Sequence, residues 1–326
     1  MSVISHEIID NWKKQYDGNN PLWAKYPQIG RDKADYIKTL VERDRPILHQ
    51  ICLQDTVPAQ GRKPVYLATC GAPLAGKSTT LEQIMAVDSE RYGNMAKIDP
   101  DRWGMALMAN TYQDYLMGAG MIADAENYEQ AQERAYDIAR PGSNYLTLEM
   151  LNEAAERKLD IAHGTTMTSP HINTLLSTIK AQGYEIDLLL CSAEDDMRAD
   201  AQQYRANVQG YYQSTPEDVK SKGIVFPQRM QTYFVMADNL SIFWREGVTE
   251  NAIKAATYSN GQKTVHNEKA YENFVNKYEA DRYTLAYPEQ GEALYLCPFS
   301  RIEQAYSARH TNTHTSPGGL FLPSIK

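Results

Sequence analysis

The stretch Gly71-Ala72-Pro73-Leu74-Ala75-Gly76-Lys77-Ser78 meets every fixed position of the pattern G-x-x-x-x-G-K-[ST]. Residues of these types at this spacing cradle the phosphates of a nucleoside triphosphate. The backbone N–H groups of the loop wrap the α- and β-phosphates, Lys77 reaches the β- and γ-phosphates, and the Ser78 hydroxyl sits on Mg2+. Thr79 follows as the loop runs into a helix. A ligand-free glycine turn between strand and helix is the plain alternative. A second constellation, Ile98-Asp99-Pro100-Asp101, offers two carboxylates on a turn stiffened by proline. A carboxylate here accepts the proton of an attacking hydroxyl or holds Mg2+ through water. We assign Asp101 as the general base and Asp99 as a metal or structural carboxylate, although aspartate also favours turns and helix caps. In a third, His163-Gly164-Thr165-Thr166, the residues His163, Thr165 and Thr166 have hydrogen-bonding groups for a phosphate or sugar. They also fit a glycine turn whose hydroxyls cap the next helix.

These residues need elements to hold them. Residues 64–70 form an apolar, β-prone run, and Leu81, Ile84 and Met85 share one face of a helix after the loop. Strand, glycine loop and helix, in that order, is the context the motif requires. Further strands are expected at 95–99, 159–162, 186–191 and 241–244, alternating with helices, which indicates a parallel α/β sheet. Ligands of such sheets bind beyond the carboxyl ends of the strands, so all three constellations fall on one edge. A helical N-terminal extension covers residues 1–60, with one apolar stripe at Ile8, Ile9 and Trp12 and another at Tyr36, Ile37, Leu40 and Val41. The core spans 61–250, with a helical lid at about 195–230, and a C-terminal α+β addition covers 251–326. Within the helical stretch 103–157 a break is expected at Pro141-Gly142. Asn260-Gly261 signals a hairpin, a helix is expected near 268–280, then a short strand at 293–297 and an irregular polar tail from about 300. His310 and His314 have i, i+4 spacing, but the polar tail reads as solvated and not as a metal-binding helix.

The chain has 326 residues, 42% hydrophobic and 23% charged, with a net charge of −8. The acidic balance argues against a broad nucleic-acid surface and leaves room for a locally basic pocket. No apolar run reaches the roughly 18 residues of a membrane span. The four cysteines are far apart, fit neither a disulfide framework nor a metal site, and read as buried thiols. With no signal-peptide pattern at the N-terminus, the expected location is a reducing cytoplasm, or a target cell reached through a secretion system without a cleavable signal.

Taken together, residues of about 60–250 resemble the zeta-toxin-type P-loop kinases. The resemblance rests on the phosphate loop, the Ile98-Asp99-Pro100-Asp101 turn, Gly164-Thr165, and the helix ending Gln182-Gly183-Tyr184 before an apolar strand. It also takes in Ser214-Thr215-Pro216 in the lid region and Arg245-Glu246-Gly247 after the late strand. It implies a kinase fold using ATP and Mg2+, with Lys77 and Ser78 on nucleotide and metal and Asp101 deprotonating the acceptor hydroxyl. An antitoxin protein is the implied partner. Three positions depart from the pattern: His163 stands where the family has a substrate-binding Glu, Thr166 and Met167 stand where an Arg follows Gly-Thr, and Gln213 replaces a lid Arg. Arg205, then Arg198, are the remaining lid arginines for the migrating phosphoryl group.

The long N-terminal extension and the C-terminal addition resemble the branch of a plant-pathogen effector kinase that phosphorylates NAD. The expected function is therefore an ATP-dependent toxin or effector kinase acting on a ribose or sugar hydroxyl of a small nucleotide-type metabolite. The NAD 3′-hydroxyl stands ahead of UDP-N-acetylglucosamine, and a nucleotide-binding module or NTPase without kinase activity is the alternative.

Overall fold

Strands that are apolar on both faces need cover on both sides, and parallel sheets supply it. In the computed structural model, which describes residues 2–15, 31–53, 55–101, 128–209 and 216–311, β1 (Val65–Cys70) is buried at every position. It lies between β3 (Asp160–His163) and β4 (Glu185–Ala193), parallel to both. β2 (Met95–Ile98) pairs with β3 and β5 (Asn239–Arg245) with β4, giving the parallel order β2-β3-β1-β4-β5. The hairpin β6 (Ile253–Ser259) and β7 (Gln262–Val265) adds antiparallel to β5, making one sheet of seven strands. Asn260 and Gly261 turn this hairpin with φ 52 and 77, the left-handed pair that the Asn-Gly signal anticipates.

Eleven helices are described. They are α1 (His6–Lys14), α2 (Arg31–Leu53), α3 (Lys77–Val87), α4 (Ser89–Tyr92), α5 (Tyr128–Glu156), α6 (Ile172–Ala181), α7 (Asp195–Gln209), α8 (Pro216–Gln228), α9 (Met230–Met236), α10 (Glu268–Ala286) and α11 (Phe299–Thr311). Alternate strand residues feed two cores. Val65, Leu67, Leu189 and Phe243 meet Leu81 of α3, while Tyr66, Ala68, Leu188 and Ile242 enter a larger core with α2, α5, α6, α9 and α11. The result is the expected α/β P-loop kinase-like sheet flanked by helices, with helices at its N-terminal end and an α+β addition at its C-terminal end. Among the described residues no helix is long and apolar enough to cross a membrane. Cys52, Cys70 and Cys191 are buried free thiols.

Three local expectations fail, two of them because packing overrules them. α5 runs through Pro141 without a break. The residues just beyond it, including Ser143, Tyr145 and Leu146, are buried, and this tertiary contact outweighs the local helix-breaking preference. No strand forms at 293–297, where the chain is irregular. The tail expected to be irregular is helix α11 up to Thr311, because Phe299, Ile302 and Tyr306 repeat at helical spacing and fill the core beside Phe234 and Tyr258. His310 thus sits on a helix, and its Nδ1 lies 3.0 Å from the Tyr306 carbonyl; His314 lies outside the described residues. So do Gln213, Ser214 and Thr215, and of the second N-terminal stripe only Val41 has a described side chain, which is buried.

Candidate active site

Because β1, β2 and β3 run parallel, the loops that leave their carboxyl ends converge. Gly71 begins the first with φ 148; a side chain there would place its Cβ 2.1 Å from the Cys191 carbonyl oxygen of β4, so only glycine lets the loop leave so close to the sheet. The Gly71 N–H donates to the Thr166 carbonyl at 3.0 Å, tying the first loop to the third. Leu74 and Gly76 are left-handed, with φ 69 and 84, and left-handed residues in a short loop turn N–H groups inward as an anion nest. The loop then delivers the N-terminus of α3, whose dipole favours the same charge. Pro73, Leu74, Gly76, Lys77, Ser78 and Thr79 line a cleft of about 230 Å3, while Gly71, Ala72 and Ala75 form the buried side of the loop.

Lys77 donates from Nζ to the Ala72 carbonyl at 2.7 Å. Burial lowers its pKa to about 7; Arg205 and Lys222 press the same way, against Cys191 and Asp99. Opposite Lys77, Asp99 is 2% exposed and accepts the Asp101 N–H at 2.8 Å. Gly164 makes room for it: a Cβ there would lie 2.0 Å from Asp99 Oδ2. Asp101 lines the cleft, half-exposed, with its carboxylate in an ion pair with Arg140 of α5. Ser143 of the same helix donates to the Pro100 carbonyl at 2.6 Å, so α5 holds the aspartate turn at two points. Thr69 Oγ1 accepts the Thr165 N–H at 3.0 Å and donates to the Thr165 carbonyl at 2.7 Å, which fixes the third loop against β1.

The structure thus brings Lys77, Ser78, Thr79, Asp99, Asp101, Thr165, Thr166 and Arg205 to one cleft. Two expected substrate residues are not there. Arg198 is buried nearer the start of α7 than Arg205, donating to Asp195 at 2.5 Å and to the Val219 carbonyl of α8 at 3.3 Å; it braces the two helices and does not line the phosphate cleft. His163 is buried with Nδ1 2.6 Å from the Tyr66 hydroxyl, and burial lowers its pKa to about 4, so the ring is neutral and its Nδ1 is engaged. It borders the adjoining cavity and not the cleft.

Three cations in the cleft escaped sequence reasoning. Arg140 is displayed by a helix distant in sequence from Asp101, and no local signal marks it. Lys222 of α8 lines the cleft from the lid, together with Arg205 of α7. Arg245, at the end of β5, was part of a recognised segment without a role. Its guanidinium donates to the Leu74 and Gly247 carbonyls, each at 2.9 Å, and to that of Val248, strapping the phosphate loop to the sheet edge. Burial lowers its pKa, with Arg205 adding to the effect.

A loop that nests anions, a lysine at its end and a carboxylate across the cleft are the parts of a phosphoryl-transfer site. Residues 50–212 match the zeta toxin family. The chain belongs to that family. Zeta toxins are P-loop kinases that use ATP, in keeping with the loop and the sheet order described above. No curated protein sequence matches the chain. Among solved structures, it is similar to one from the PezAT chromosomal toxin–antitoxin system of the human pathogen Streptococcus pneumoniae, at 10% identity, 84% of this chain, 95% of that chain and a TM-score of 0.47. It is also similar to AvrRxo1-ORF1:-ORF2 with ATP, at 11% identity, 92% of this chain, 89% of that chain and a TM-score of 0.49.

Proposed function

We propose that this zeta toxin family member is an ATP-dependent small-molecule kinase, a toxin or effector that phosphorylates a ribose or sugar hydroxyl of a nucleotide-type metabolite. The observation that carries the reading is the position of Asp101 on the same cleft as Lys77 and Ser78. The loop from Gly71 to Thr79 takes the phosphates of ATP, and Lys77 neutralises the β- and γ-oxygens. Asp101 orients the acceptor hydroxyl and takes its proton as the acceptor oxygen bonds to the γ-phosphorus. The bond from that phosphorus to the β,γ-bridging oxygen breaks, and ADP leaves with its electron pair. Arg205 and Lys222 face the transferring group from the lid. Positioning and charge do most of the catalysis in such a transfer.

The hydroxyl of Ser78 and the carboxylate of Asp99 are hard oxygen donors on the same cleft, which fits Mg2+. The ion supplies charge neutralisation across the β- and γ-phosphates when bound. A neutral, engaged His163 offers no carboxylate for a sugar nucleotide, so NAD stands ahead of UDP-N-acetylglucosamine as acceptor. An antitoxin protein is the partner that membership of this family implies. Incubation of the protein with ATP, Mg2+ and either NAD or UDP-N-acetylglucosamine, followed by mass spectrometry, tests the reading. A phosphorylated acceptor supports it, and ADP formation with neither acceptor modified sinks it.

A further inference from the structure

A second cavity, of about 420 Å3, adjoins the cleft and shares Pro100, Arg140, Thr165, Thr166 and Lys222 with it. Its composition is uneven. At the shared boundary stand the two cations, Arg140 and Lys222, with the hydroxyls of Thr165 and Thr166; Thr166 is joined to Thr168 further in at 2.8 Å, and the neutral His163 lines the same cavity. The far end is apolar, built by Ile8 and Trp12 of α1 with Leu148 of α5. Among its described lining residues there is no carboxylate, in a chain whose net charge is −8. That pattern suits a ligand with an anionic group at one end, hydrogen-bonding hydroxyls in the middle and a flat apolar ring at the other.

The wall contributed by α1 is anchored. Asn152 of α5, buried, accepts the Ile4 N–H at 2.8 Å and donates to the Ile4 carbonyl at 3.0 Å. Ser5 caps the helix that follows, Ile9 is buried, and Ile8 and Trp12 pack against the core.

We propose that the acceptor occupies this second cavity, its phosphate toward Arg140 and Lys222 and its planar ring against Trp12, so that helix α1 selects which metabolite is phosphorylated. This rests on the kinase reading above. It assigns the N-terminal helix a place in substrate choice, with Trp12 as a specificity-determining residue.

The test is steady-state kinetics of the full chain with NAD, UDP-N-acetylglucosamine and, as a ringless control, ribose 5-phosphate. Ring stacking accounts for roughly tenfold or more in affinity. Trp12→Ala should therefore raise KM for the ring-bearing acceptor about tenfold, leave KM for ATP alone, and be rescued by Trp12→Phe. Asn152→Ala, which loosens α1 without touching the cavity, should raise the same KM. An unchanged acceptor KM in Trp12→Ala, or equal use of ribose 5-phosphate by the wild type, overturns the proposal. Should the wild type phosphorylate none of the three, the kinase reading fails by itself, and tryptophan fluorescence still decides the cavity. Quenching by NAD or UDP-N-acetylglucosamine that disappears in Trp12→Phe supports the assignment, and quenching that is absent or unaltered by the substitution refutes it.

Discussion

Arg140 forms an ion pair with Asp101, and the two residues come from elements far apart in the chain: a helix that packs over β2 and β3, and the turn at the end of β2. The pair fixes the direction in which the proposed base presents its carboxylate to the cleft. A positioned acid or base contributes about a hundredfold or more to a rate. Asp101→Asn should hence lower kcat at least about a hundredfold while the Kd for ATP, read by calorimetry, stays within about twofold. Full activity in this variant would falsify the base assignment.

Besides facing the acceptor's phosphate in the proposed complex, Arg140 acts on the chemical step through Asp101. Arg140→Gln should reduce kcat by roughly ten- to a hundredfold, less than loss of the base itself, because a small misplacement of a reacting group carries a penalty of that size. Arg140→Lys, which keeps the charge but not the planar fork, should recover only part of it. The discriminating readout is the pH profile of kcat: a positioning role shifts its acid limb, whereas a merely structural role lowers the whole curve evenly.

Lys77 is poised to titrate near neutrality, at about 7, because burial disfavours its charge. Phosphates favour the charged form, so ATP binding should take up a proton above that pH, and apparent affinity should fall as pH rises through about 7. Calorimetry in two buffers of different ionisation enthalpy measures the uptake directly. Lys77→Met should abolish both the uptake and turnover. The linked effect on folding has a definite sign as well. A lysine whose folded pKa lies below its unfolded value leaves the unfolded chain holding more protons between the two, so stability rises with pH from about 7 toward 10.5. The Lys77→Met variant should lose that slope in urea titrations.

Gly164 tests the packing beneath the aspartate turn. A Cβ at this position would lie 2.0 Å from Asp99 Oδ2, so Gly164→Ala must push the carboxylate aside. Overpacking of this kind destabilises by about 1–3 kcal/mol. We expect the loss in thermal unfolding together with weakened Mg2+ dependence, since Asp99 would be displaced. A stable variant with unchanged metal dependence would remove Asp99 from the metal site.

Arg198 separates a brace from a lid arginine. Its guanidinium serves Asp195 and the Val219 carbonyl, between α7 and α8. Arg198→Ala should lower stability by about 2 kcal/mol, the scale of a hydrogen bond to a charged group, and leave kcat at saturating substrate nearly unaltered. Arg205→Ala should do the reverse, costing kcat with little change in unfolding temperature.

Much of the fold was legible because it depends on local patterns. The β1 run, the glycine spacing from Gly71 to Ser78 and the Asn260-Gly261 turn each carry their own backbone requirement within a few residues. α11 was not legible, since Phe299, Ile302 and Tyr306 form a sparse stripe in a polar segment and become meaningful only against Phe234 and Tyr258. Pro141 misled for the same reason: its local preference is real, and burial of the residues that follow overrides it.

By itself the sequence determined the loop of the phosphate-binding pattern, the carboxylates at the end of β2 and the parallel sheet whose geometry puts both on one edge. Those follow from residue type and short-range spacing, which set backbone conformation and the alternation of strand and helix that makes a sheet parallel. Only the tertiary structure decided which cations join them. Arg140, Lys222 and Arg245 enter the cleft from a crossing helix, the lid and the far strand, while Arg198 turns away into a helix–helix brace. A charged side chain reads alike on any exposed helix. Its partner is set by which face packing leaves toward the cleft, and that is a property of the assembled layers, not of any local segment.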